Sequence, residues 1–228
     1  MTSKLIVAID GPSGVGKGTV ASRVASALGY RHVDTGAMYR AVAWAAAEQG
    51  IGLDEENRLA VLAEGAVLDV SETRVAVNGR DVTRAIRTPA IDRGAAVVAR
   101  LPRVRAVLVA KQQAMGAGGG IVMEGRDIGT VVFPSAPVKI YLDAAAEERA
   151  RRRASDAAHA GGNALGLQEI ASELAARDRL DTTRATSPLV AAPDAHVIDT
   201  TSLPIDAVVA RVLELVRRAD ERQRQPGG

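Results

Sequence analysis

The chain has 228 residues, 47% of them apolar and 25% charged, with a formal net charge of +2 and no cysteine. That balance suits one large, soluble, globular domain and excludes a disulfide framework or a thiolate metal site. Aromatics are limited to one Trp, one Phe and three Tyr, so the core must be aliphatic, and base stacking on rings is no general mechanism for binding nucleic acid here.

Ile6 to Asp10 is an apolar run of strand length that ends in an acid. It runs into Gly11-Pro12-Ser13-Gly14-Val15-Gly16-Lys17-Gly18-Thr19, and Val20, Val24 and Leu28 then recur at helical spacing. Strand, Gly-x-x-x-x-Gly-Lys loop and helix form the P-loop arrangement. Its glycines let successive backbone N–H groups point into one concavity that binds phosphate, and the helix N-terminus adds positive charge there. Lys17 supplies a full charge for β- and γ-phosphates. The residue after Lys17 is Gly18 instead of the usual hydroxyl, which comes one position later at Thr19. A Mg²⁺ is therefore expected to be held by phosphates and waters, with no direct protein ligand and with Thr19 nearer the α-phosphate. The N-terminal apolar run is too short for a membrane span or a secretory signal, and the chain is expected to be cytoplasmic.

Tyr30 to Asp34 reads as a second strand, followed by a helix from about Ala37 to Gln49 and another over Asp54 to Glu64. The runs Val67–Val70 and Arg74–Val77 alternate, and Asn78-Gly79 follows, which predicts a small antiparallel insertion over about 66–84. Thr88-Pro89 and Pro102 each open a helix, the second reaching about Met115. Ile121–Glu124 and Val138–Leu142 are further strands, the first ending in Gly125-Arg126-Asp127. A charged helix spans Glu147–Arg153, small residues from Ala157 to Gly166 break the pattern, and a polar helix covers about Leu167–Asp178. His196–Asp199 is the last strand, and Ile205, Val208, Val209, Val212 and Val216 mark the core face of the last helix. The tail from Asp220 is expected to be disordered. Strands alternating with helices predict a parallel sheet covered on both faces, with ligands beyond the carboxyl ends of its strands. The stretches after Asp10, Asp34 and Glu124 should converge there.

Arginine dominates the remaining polar chemistry: Arg40, Arg105, Arg126, Arg149, Arg152, Arg153, Arg177 and Arg184. A guanidinium holds phosphate bidentately at any working pH, and phosphoryl transfer needs little beyond positioning and charge neutralisation. For the run on the charged helix, a solvated face paired with Glu147 and Glu148 is the competing reading.

The set becomes specific when taken together. The P-loop, Asp34-Thr35-Gly36-Ala37-Met38-Tyr39-Arg40, Pro102-Arg103-Val104-Arg105, Gly125-Arg126-Asp127-Ile128-Gly129 with Val131–Pro134, and Arg177-Asp178 with Asp181, Arg184 and Pro188-Leu189 occur in this order. The set resembles the bacterial cytidylate kinases, within the nucleoside monophosphate kinases, over about residues 4–218. The resemblance implies an α/β fold: a P-loop three-layer sandwich with a central parallel five-stranded sheet, an acceptor-binding insertion carrying a small antiparallel hairpin, and a helical lid. It implies one domain over 1–218, with a core of 1–34, 106–146 and 181–218, an acceptor-binding region of 35–105, a lid of 147–180 and a disordered tail of 219–228.

It further implies phosphoryl transfer from ATP, with Mg²⁺, to CMP or dCMP. Gly11 to Thr19 would bind ATP. Lys17, Arg126, Arg149 and Arg153 would act on the transferred phosphoryl group. Thr35, Arg40 and Arg126 would hold the acceptor phosphate with Arg184 nearby, Arg105 and Asp127 would read the cytosine, and Asp181 with Arg177 would meet the ribose. The family usually carries a serine near the base where this chain has Ala96. Partners would be small nucleotides, without nucleic acid or membrane, and the chain would be a monomer. The rivals are a kinase for another nucleotide or small metabolite, and a nucleotide-responsive P-loop regulatory module whose basic helices touch nucleic acid.

Overall fold

The computed structural model describes residues 4–71, 73–155 and 166–224. Its framework is a five-stranded parallel sheet built from β1 (Ile6–Asp10), β2 (Arg31–Asp34), β6 (Ile121–Gly125), β7 (Val138–Asp143) and β8 (His196–Asp199). Their spatial order is β2-β6-β1-β7-β8, with Ile6 beside Ile121 and Val7 beside Val138. Two core clusters, one on each face, explain why β1 and β6 read as unbroken apolar runs. Ala8, Val33, Ile121 and Met123 face one cluster. Val7, Ile9, Val122, Ile140 and Leu142 face the other. A strand buried on both sides has no polar face to alternate.

Helices α1 (Lys17–Leu28) and α8 (Ile205–Arg224) cover the second face through Val20, Val24, Val208, Val212 and Val216. Helices α2 (Thr35–Glu48), α3 (Glu56–Gly65), α4 (Pro89–Val98) and α5 (Pro102–Gly116) build the first. Asp34 caps α2 by accepting from Ala37 N at 3.2 Å, and Thr88 caps α4 by accepting from Ile91 N at 3.3 Å. The α/β sandwich expected from the sequence is therefore present.

The insertion is a three-stranded antiparallel sheet, β3 (Leu68–Val70), β4 (Val75–Val77) and β5 (Arg80–Asp81). Asn78 and Gly79 both have positive φ, 50° and 82°, the backbone of a type I′ turn, and they join β4 to β5. Asn78 adds a side-chain bond from Val67 N to its Oδ1 at 2.8 Å.

Two boundaries differ from the sequence reading by more than two residues. Helix α7 (Leu167–Thr183) runs five residues past Asp178. That extension puts Arg177, Asp181 and the cap residue Arg184 at a spacing that repeats on one helical face. Helix α8 continues to Arg224, so the expected disorder from Asp220 is corrected: residues through 224 are helical. The tail lacks an apolar stripe, but Arg217–Glu221 and Arg224–Asp220 pair one turn apart. The remaining helix, α6 (Ala146–Ser155), packs beside α7. The Gly161-Gly162 break lies outside the described residues.

Candidate active site

Each strand end at the carboxyl edge supplies a polar group, and the three stretches expected to converge there do so. Thr35 Oγ1 donates to Glu124 O at 2.7 Å, tying the end of β2 to the end of β6. Asp10, at the end of β1, accepts from Ile128 N at 2.8 Å and Gly129 N at 2.7 Å. It thereby holds a turn of π-helix over Ile128–Val132, which re-aims the chain after Arg126 and Asp127. Burial pushes the Asp10 carboxyl up to about 6 against the pull of those two amides.

The loop after β1 depends on its glycines. Gly14 and Gly16 have φ of 80° and 91°. A side chain on Gly11 would collide with Leu142 O, and a Cβ on Gly14 would lie 2.9 Å from Arg149 O. No acid occupies the first turn of α1, so the helix end keeps its positive potential. Lys17 is 7% exposed, and its Nζ donates to Pro12 O at 2.6 Å. Burial, with Arg126 adding to it, pushes Lys17 down to about 7.

One cleft of about 870 Å³ opens beside this loop. Ser13 to Thr19, Thr35, Arg40, Arg105, Arg126, Asp127, Arg153, Arg177, Asp181 and Arg184 all line it. Of the residues singled out in the sequence, Gly11, Pro12 and Arg149 do not. Gly11 and Pro12 shape the loop from behind. Arg149 Nη1 donates to Ser13 O at 3.2 Å and also to Asp178, which fastens α6 to the loop and to α7.

The lining arginines are held by acids. Arg40 Nη2 donates to Asp34 Oδ2 at 2.6 Å. Burial would raise the Asp34 carboxyl, but Arg40 beside it outweighs this and holds it below its usual value. Arg126 donates from Nε to Asp181 Oδ2 at 2.8 Å and from Nη2 to Ser13 Oγ at 3.0 Å. The Asp181 carboxyl is likewise lowered, burial being outweighed by Arg126. Arg177 is pushed down by burial and then by Arg126. Deeper in, Arg105 is 2% exposed. It donates from Nη2 to Asp127 Oδ2 and from Nη1 to Ala99 O at 3.2 Å, and lies 5.7 Å from the centroid of the Tyr39 ring. Arg184 Nη2 approaches Asp127 Oδ1 at 3.8 Å. This buried pair, with Ala96 nearby on the cleft wall, is a built donor–acceptor surface.

Several roles were missed by sequence reasoning. Asp10 carried a signal, a charge ending a buried strand. Arg152 is a fastener: its Nη2 donates to Thr200 O at 2.6 Å and its Nη1 to Thr200 Oγ1 at 2.9 Å. His32 Nε2 lies 3.1 Å from Glu124 Oε1, and Glu124 borders Gly18. Asp92, which binds Arg153 Nη2 at 2.9 Å, gave no signal, because an acid in a first helical turn reads as ordinary dipole compensation.

The family profile described as cytidylate kinase matches residues 7–218. A cytidylate kinase of Pelotomaculum thermopropionicum is 47% identical over 215 residues, covering 92% of this chain and 95% of that protein. One from Solibacter usitatus is 46% identical over 215 residues, covering 94% and 93%. Among solved structures, a gluconokinase from Sinorhizobium meliloti 1021 matches with a TM-score of 0.52 at 15% identity, covering 99% of each chain; that likeness concerns the fold alone. With a profile match over nearly its whole length and relatives of this similarity, the chain belongs to the cytidylate kinase family.

Proposed function

We propose that the protein transfers the terminal phosphoryl group of ATP to CMP and dCMP, giving CDP and dCDP. One observation carries the reading: the phosphate-binding loop and the buried Arg105–Asp127 pair open into the same cleft, with arginines between them. ATP lies along Ser13–Thr19, its terminal phosphates on the loop amides and Lys17. The acceptor phosphate meets Thr35, Arg40 and Arg126, the ribose meets Asp181 and Arg177, and the base meets Arg105 and Asp127. The acceptor's phosphate oxygen is already ionised, so attack needs no general base, and the arginines neutralise charge as it spreads over the equatorial oxygens.

Among the described residues no three His, Cys, Asp or Glu side chains gather closely enough to hold an ion, and both Asp10 oxygens are taken by amides. These donors fit a Mg²⁺ that would be held by the nucleotide's own phosphates and waters, where it would neutralise phosphate charge. Helices α6 and α7 act as a lid, and α2 to α5 with the small sheet as the acceptor-binding region. The protein is proposed to act as a monomer in the cytoplasm.

An ADP-release assay across AMP, CMP, dCMP, GMP, UMP and shikimate tests this. CMP and dCMP should be the fastest acceptors; faster turnover with AMP, GMP or shikimate would overturn the reading.

A further inference from the structure

Asp92 lies in the first turn of α4, just after Pro89. An acid there ordinarily turns to water and complements the helix dipole. This side chain is only 12% exposed, and its Oδ2 accepts from Arg153 Nη2 at 2.9 Å. The pair joins α4 to α6 across the cleft that both residues line. The same carboxylate's charge also acts on Arg40 and Arg177. Asp92 therefore places a negative charge among three cations that line the cleft.

We propose that Asp92 is a positioning residue whose carboxylate holds Arg153 in the role of a phosphate, so that an incoming nucleotide must take Arg153 from it. The proposal rests on the nucleotide-kinase reading above. A guanidinium on one partly exposed helix has many rotamers, and a facing carboxylate keeps it at the cleft instead of in solvent. The same charge opposes the arriving phosphates, so nucleotide binding exchanges one ion pair for another.

Removing the charge therefore frees Arg153 for the phosphates of ATP while it weakens the fold. Asp92→Asn should lower the KM for ATP by about threefold, the factor one partly exposed ion pair supplies. Its kcat should stay the same or fall, and its urea midpoint should drop slightly. Asp92→Glu keeps the charge and should return KM to within about twofold of wild type. In an Arg153→Gln background, itself slower, Asp92→Asn should change KM by less than half as much. An unchanged or raised KM in folded Asp92→Asn overturns the proposal. An equal drop with and without Arg153 does so too, because the charge then acts without the pair. If Asp92→Asn does not fold, Asp92→Ser carries the same comparison. Failure of the wild-type protein to phosphorylate CMP would instead overturn the kinase reading, so the two failures are distinct.

Discussion

Arg126 donates from Nε to Asp181 Oδ2 at 2.8 Å, and the other end of the same guanidinium reaches Ser13 Oγ at 3.0 Å. One side chain thus couples α7 to the phosphate-binding loop. Arg184 stands farther off, with Nη1 4.0 Å from Oδ1. Asp181 therefore orients Arg126, and it is proposed to present an acceptor to the ribose as well.

Asp181→Ala should raise the KM for CMP and lower kcat by about 10- to 100-fold, since breaking a largely buried pair leaves Arg126 unpaired and free to swing. The ATP dissociation constant, measured by calorimetry, should move less than threefold. Equal losses of ATP and CMP affinity would make Asp181 a purely structural part of an ion cluster.

Lys17→Ala should give a folded protein with turnover reduced by at least about 100-fold. A second signature comes from protonation. Burial holds Lys17 at about 7 in the nucleotide-free protein, so at pH 8 it is mostly neutral. Bound phosphates raise its pKa, and ATP binding at pH 8 should take up to about one proton, whereas at pH 6 Lys17 is already charged and uptake should be small. Calorimetry in two buffers of different ionisation enthalpy measures this. Undiminished uptake at pH 8 in Lys17→Ala would assign the proton to another group.

Arg149 and Arg152 fasten α6 to the loop and to Thr200, while Arg153 reaches across to Asp92. Binding of ATP and a CMP analogue together should add hydrogen-exchange protection over residues 147–155 and 167–170, as closure excludes water that would otherwise accept the phosphoryl group. Protection unchanged in both segments would mean that these helices are not a lid.

The phosphate site was legible because local chemistry determines it: glycine spacing, a lysine and a strand–helix boundary lie within fourteen residues of sequence. The Asn78-Gly79 turn and the Thr88-Pro89 start were legible for the same reason, each being a backbone preference of adjacent residues. Pairing at long range was not. Asp181 lies 55 residues from Arg126, and Asp92 lies 61 from Arg153; no spacing rule links them, because the sheet order brings them together. The end of α8 was misjudged because charged pairs one turn apart sustain its last turns without an apolar stripe. Arg149's bond to Ser13 O was not legible either, because a charge run does not disclose what each member binds.

Arg105 and Asp127 are proposed to read cytosine. Asp127 lies between Arg105 and Arg184. Ionised, it only accepts, which suits the N4 amino group of cytosine, while Arg105 only donates, which suits N3. Uracil reverses both positions, and each mismatch strands a buried polar group at a cost of about 1–3 kcal/mol. Two mismatches give on the order of 30- to 10,000-fold discrimination, with Ala96, in place of a hydroxyl, admitting water and pulling toward the lower end. The direct measurement is kcat/KM for CMP and UMP on the wild-type protein and on Asp127→Asn, whose amide also donates. A CMP preference of at least about 30-fold is expected in wild type and a narrower one in Asp127→Asn. Equal use of UMP by wild type would contradict it, and a CMP preference unmoved by Asp127→Asn would reduce Asp127 to a support for Arg105.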